Sequence, residues 1–158
     1  MNHILRHVFS RRYEDLLINV LRITIAVIFI WFGGLKILGY NPVFDLVYNS
    51  MTPFLATGYG LIGLGVFEVI IGALLLSNRL LLPTHVLLLL HLLGTFSTFI
   101  FGWHVVFDPQ FPILSLSGEF VIKNMTLVVA GLVVLVYESR KRQGFSAKVE
   151  KLKKKLSR

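Results

Sequence analysis

The stretch Thr57-GYGLIGLGVF-Glu68-VIIGALL-Leu76 decides how this chain folds. It is long enough to cross a bilayer, because about 20 apolar residues rising about 1.5 Å each span the hydrocarbon core. Glu68 lies about ten residues from either end, so about 15 Å from water in both directions. A glutamate side chain cannot cover that distance. Ionisable groups at such depth are costly in lipid and face a bundle interior, a cavity or a partner. On an insertion scale a mid-span acid costs about 2.5 to 3.5 kcal/mol, taking aspartate as its stand-in. The eleven Leu, Ile, Val and Phe residues of the same stretch offset this by roughly 3 to 7 kcal/mol, so the span inserts with its acid.

Three further apolar runs flank this one: Leu16 to Leu38, Leu80 to Phe101 and Phe120 to Tyr137. The sequence therefore predicts an all-α integral membrane four-helix bundle, with spans over about 16–38, 57–76, 80–101 and 119–137. Residues 1–15 form a basic lead-in and residues 139–158 a basic tail. Four spans use most of the 158 residues and leave no room for a separate soluble domain. Hydrophobic residues make up 55% of the chain and charged residues only 15%, against about a quarter charged in a soluble domain. The first run is too long for a signal-peptide core and lacks a clear cleavage site.

The net charge of +8 is placed for a membrane rather than for nucleic acid. Arg6, Arg11 and Arg12 precede the first span, Arg79 sits between spans two and three, and nine Lys and Arg residues follow the fourth. The connections Gly39 to Ala56 and Gly102 to Ser117 hold no Lys or Arg. This positive-inside pattern puts both termini in the cytoplasm. The basic tail reads as a patch for anionic lipid head groups, either as an amphipathic surface helix or as disordered chain. The first outer connection suggests a short interfacial helix over Val43–Asn49, and the second, with Pro109 and Pro112, suggests no regular structure. Ser115 to Glu119 reads as a helix start, with a serine cap and an acid in the first turn.

Helical spacing sorts the polar residues onto faces. Arg22, Ala26, Phe29, Gly33 and Lys36 share one face of span one. Gly58, Gly65 and Gly72 recur every seven residues in span two, and Glu68 joins their stripe. His91, Thr95, Thr98 and Gly102 align in span three, and Glu119, Lys123, Thr126 and Ala130 in span four. Counted from the tight turn at Asn78 and Arg79, Glu68 and His91 lie level to within about 2 Å. Lys123 stands roughly 7 Å higher and Lys36 roughly 8 to 12 Å above Glu68. These four residues, Glu68, His91, Lys36 and Lys123, are the candidate ligand contacts. Each also has a plainer reading. The two lysines and Arg22 can reach an interface with their long stems. Lys123 also forms a favourable helical pair with Glu119. His91 can be a hydrogen-bonded packing residue. Glu68 can hold helices together without any ligand.

Several chemistries are excluded. The chain has no cysteine, so thiolate catalysis, iron–sulfur ligation and Cys-based zinc sites are absent from it. Bis-histidine haem needs facing helices, yet His85, His91 and His104 all belong to span three or its ends. A di-metal carboxylate site needs several deep acids, and only Glu68 is deep. Phosphate-binding glycine motifs and a nucleophile elbow are missing.

Three segments carry a family likeness. Ile30-Trp-Phe-Gly33-Gly34-Leu-Lys36, Gly65-Val-Phe-Glu68-Val-Ile-Ile-Gly72-Ala-Leu-Leu and Ser117-Gly118-Glu119-Phe-Val-Ile-Lys123-Asn124 resemble the DoxX-like small membrane proteins. The nearest branch is the one called DUF417, which includes the inner-membrane protein of bacterial reactive-chlorine resistance. The likeness covers roughly residues 20 to 137. One departure is visible: that branch carries an acid after the late lysine, and here the position is Asn124. The resemblance implies a multi-pass protein of the bacterial inner membrane tied to redox or oxidative-stress physiology; taken together with the stacked ionisable set, it suggests a quinone or similar lipophilic molecule held between the helices. The alternatives are a non-catalytic accessory or structural subunit of a larger membrane complex, or a proton-coupled carrier; the expected partners are the bilayer and a larger membrane complex or a second copy in a homo-oligomer.

Overall fold

A computed structural model describes residues 11–41, 44–50 and 52–156. Most of the basic lead-in (residues 1–10), Pro42, Val43 at the start of the expected interfacial helix, Met51, the side chain of Arg11, and the side chains of Ala147, Lys148 and residues 150–158 lie outside the described residues. The helices are α1 (Arg11–Ile37), α2 (Phe44–Tyr48), α3 (Gly58–Ser77), α4 (Leu81–Phe96), α5 (Thr98–Phe101), α6 (Trp103–Val106) and α7 (Leu116–Leu156). Among the described residues there is no strand, only one isolated bridge between Phe107 and Leu114. Four segments are long and apolar enough to cross a membrane: α1, α3, α4 with α5, and α7. The architecture is the expected all-α four-helix bundle.

Local chemistry sets the ends of these helices. Thr57 caps α3, its hydroxyl accepting from the Gly60 N–H at 3.1 Å. At the other end Asn78 adopts the left-handed conformation (φ 50°) and its N–H returns to the Leu74 carbonyl, which closes the helix and turns the chain. Ser115 caps α7 as expected, accepting from Gly118 N–H at 2.9 Å. The third span is not one uninterrupted helix. At Ser97 the hydroxyl donates to the Gly94 carbonyl at 2.6 Å, and α4 gives way to α5. Serine bonding back to its own turn competes with the helical ladder in this way. The second outer connection is more ordered than its prolines suggest. It contains α6, and Trp103, Phe107 and Phe111 pack as an aromatic cluster with centroids 4.4 to 6.0 Å apart. The first connection holds α2 inside the expected interval. The tail continues α7 as helix through Leu156.

Hydrophobic burial does not bring these helices together, since lipid is as apolar as leucine; close packing and polar contacts do. The α1–α3 pair is the tightest. A Cβ on Gly33 would stand 2.5 Å from the Gly65 carbonyl oxygen, and one on Gly72 would stand 2.7 Å from the Ala26 carbonyl oxygen. Gly58, the first member of the expected glycine stripe, is exposed and has nothing within 4 Å; it starts the helix instead. Ile25, Ala26, Phe29, Ile71, Leu75, Leu88, Leu92 and Val134 form the buried core. Large apolar side chains such as Val27, Trp31, Val66, Val86 and Leu93 face outward, as lipid-facing residues do.

Contacts between distant segments fix which ends share a face. Arg142 donates to the backbone carbonyls of Asn78 and Arg79, Lys141 pairs with Asp15, and the Tyr137 hydroxyl donates to Asp15 at 3.1 Å. The start of α1, the α3–α4 turn and the carboxy-terminal part of α7 therefore lie together on one basic face.

Candidate functional site

The polar centre is built by two antiparallel helices. In any α-helix the Cα–Cβ bonds tilt toward the amino terminus. Lys36, near the far end of α1, therefore leans back toward the middle of the bundle. Glu68 on α3 leans outward to meet it. The ammonium reaches both carboxylate oxygens, at 2.7 Å and 3.0 Å. Both side chains are only 5% exposed. The height difference expected between them is too large. A Cβ on Gly65 would lie 2.9 Å from Lys36 Cβ, so Lys36 sits one turn above Glu68, well within its own reach.

His91 completes the group. Its Nε2 lies 3.1 Å from Glu68 Oε1, as the counting from the turn places it. The ring is held edge-on to Phe29, with centroids 5.3 Å apart, and tilted to Phe67 at 6.2 Å. The three residues thus come from three different spanning helices.

Lys123 does not join them. Its ammonium pairs with Glu119 at 2.8 Å, and its side chain is 74% exposed. The stripe of Glu119, Lys123, Thr126 and Ala130 is not the interior face of α7. Gly118, Val121, Asn124, Gly131, Val134 and Glu138 are its buried positions among the described residues. Acid and base four residues apart satisfy one another at the surface, whereas small and β-branched side chains pack inward. Gly131 shows the closeness: a Cβ there would stand 2.7 Å from a Leu88 methyl. Arg22 does not snorkel either; it donates to the Leu75 and Leu76 carbonyls, covering the open end of α3.

The polar trio forms part of the wall of a cavity of about 760 Å³. Its floor includes Ile28, Phe29, Leu92 and Leu127, and its roof Leu46, Ser50, Thr52 and Leu55 from the first outer connection. Phe32 and Phe120 stand on its side, ring edge against ring face at 5.7 Å. The volume falls within the range of small-molecule sites, and the mix of mostly apolar wall with few polar groups is the usual one. Asn124 lines the same cavity. It is 7% exposed, and no hydrogen bond of its side chain occurs among the described residues. Sequence spacing missed it because the stripe was drawn one position away; the run Val121, Asn124, Val128, Gly131 has the same helical period. Two further buried polar groups, His85 and Glu138, sit toward the basic face, away from the cavity. Among the described residues no group of three or more His, Asp or Glu side chains is placed to hold a metal ion.

Comparison with protein-family models, with curated proteins and with solved structures returns no match. Fold and site define an all-α, multi-pass membrane protein with a mid-depth ion pair bordering an apolar cavity.

Proposed function

We propose that this protein holds a lipophilic carrier of the quinone type in the cavity between its helices, as a redox- or oxidative-stress-linked protein of the bacterial inner membrane. The observation that carries the reading is the cavity itself: an apolar, aromatic-lined space with His91, Glu68 and the unpartnered Asn124 along one side. A flat ring packs between Phe32, Phe67 and Phe120, and its carbonyl or hydroxyl groups meet the Asn124 amide and the His91 ring. Lys36 holds the Glu68 carboxylate in place through both of its oxygens. His91, in contact with that carboxylate, is placed to exchange a proton with the ligand head group. The DoxX-like resemblance supports the same reading; Lys123 lines the same cavity while its ammonium pairs with Glu119 at the surface.

The test is titration of the purified protein with decylubiquinone and with a menaquinone analogue. Binding that is lost on Glu68→Gln or His91→Ala supports the proposal; absence of binding for both quinone types refutes it. One observation favours a second reading, an accessory subunit in which the polar centre only locks the helices: the Lys36 ammonium already satisfies both oxygens of Glu68. That reading predicts unchanged function for Asn124→Leu, which leaves the ion pair intact.

A further inference from the structure

Glycine in the middle of a helix costs about 1 kcal/mol relative to alanine. In this bundle Gly33, Gly65 and Gly72 have a packing reason, since a Cβ on any of them would collide with a neighbouring helix. Gly63 and Gly94 have none: at both, an added Cβ meets nothing within 4 Å. Both nevertheless line the cavity. Gly63 is on α3 and Gly94 on α4, and each lies about 15 residues from the Asn78–Arg79 turn, which puts them at one height, roughly 23 Å from it. Gly63 is also exposed, as is Leu90, another wall residue, at 57%. The cavity therefore reaches the surface on the α3–α4 side, as it also does beside the exposed wall residues Lys123 and Thr126 of α7. The α1–α7 seam beside the same cavity is bridged by the Phe32–Phe120 contact at 5.7 Å.

We propose that the seam between α3 and α4, at Gly63 and Gly94, is a lateral portal through which a neutral, membrane-dissolved amphiphile enters the cavity. The ligand is neutral because Lys36 and Glu68 already cancel one another. Its head group carries hydrogen-bonding oxygens because polar side chains on the cavity wall, among them Asn124, Thr126 and His91, face it. The two missing side chains leave a gap in the helix wall facing the acyl chains, so the ligand passes from lipid to cavity without crossing water. The proposal rests on the ligand-holding reading given above.

The test uses the full chain in lipid nanodiscs with decylubiquinone as the probe. Gly63→Leu with Gly94→Leu fills the gap, and Gly63→Ala with Gly94→Ala serves as the variant that folds with little change. The portal predicts association and dissociation both slowed about tenfold in the leucine pair, with Kd within about threefold of the parent. Unchanged rates, or a lost affinity without slower exchange, overturn it. A second arm does not depend on quinone binding. The chain has no cysteine, so nitroxides attached to Gly63→Cys and Gly94→Cys report on single positions. Collision with oxygen dissolved in the bilayer as frequent as at Leu93→Cys, an outward-facing reference, supports the portal; nitroxides screened from it overturn the portal even if decylubiquinone binds. Accessible nitroxides without any quinone binding keep the portal and reject the quinone.

Discussion

Removing the lysine from the mid-depth ion pair should harm the protein far more than removing the acid, and removing both should restore it. Lys36→Met leaves the Glu68 carboxylate 4% exposed, in the middle of a helix that runs from Gly58 to Ser77. Its carboxyl is about 15 Å from either end of the helix, too far for its own side chain to reach bulk water. Breaking a buried pair by deleting one partner costs about 3 to 5 kcal/mol. His91, 3.1 Å away, is the remaining group that can compensate, so the loss falls near the lower end, about 3 kcal/mol. Glu68→Gln leaves an ammonium instead, but Lys36 is the penultimate residue of α1 and its stem can carry the charge to the far interface. The expected cost is about 1 to 2 kcal/mol. Lys36→Met with Glu68→Gln removes both charges, and replacing a buried pair by uncharged groups of similar size is near neutral, within about 1 kcal/mol of the parent. Unfolding of the detergent-solubilised protein by SDS, followed by circular dichroism, measures all four forms. A double variant less stable than Lys36→Met alone would refute the reasoning, because the penalty would then not be an unpaired charge.

Other expectations follow from the same geometry. Gly65→Ala places a Cβ 2.6 Å from the Gly33 carbonyl oxygen and should cost about 1 to 3 kcal/mol in the same assay. Gly63→Ala and Gly94→Ala should be neutral or stabilising by up to about 1 kcal/mol each. Lys123→Met should change stability by no more than about 1 kcal/mol, since the pair it breaks is exposed. Asn124→Leu should leave stability within about 1 kcal/mol of the parent, because the amide faces the cavity rather than a packed neighbour, while abolishing decylubiquinone binding measured by titration.

The fold was legible because its determinants are linear. Run length, the Asn78 turn and the distribution of arginine and lysine need no knowledge of side-chain packing. The meeting of Glu68 with His91 followed from counting outward from that turn. Lys36 was recognised as a candidate but placed too high, since residue counting ignores the tilt of Cα–Cβ bonds that turns antiparallel side chains toward one another. The interior face of α7 was misread for a different reason. Glu119 and Lys123 are the conspicuous residues there, yet their mutual pairing at 2.8 Å lets both stay outside. Asn124 is inconspicuous in sequence, and only the packing of Val121 and Gly131 turns it inward. The cavity was beyond reach from sequence, because it depends on the gap left by helices and on a roof formed by the first outer connection.

The most direct measurement is an experimental density map, at side-chain detail, of the protein in nanodiscs supplied with decylubiquinone. Density for a flat ring in the cavity, between Phe32 and Phe67, with its oxygens at hydrogen-bonding distance from Asn124 and His91 is the predicted result. A cavity filled only by lipid acyl chain, with nothing polar against Asn124 and His91, would contradict the account.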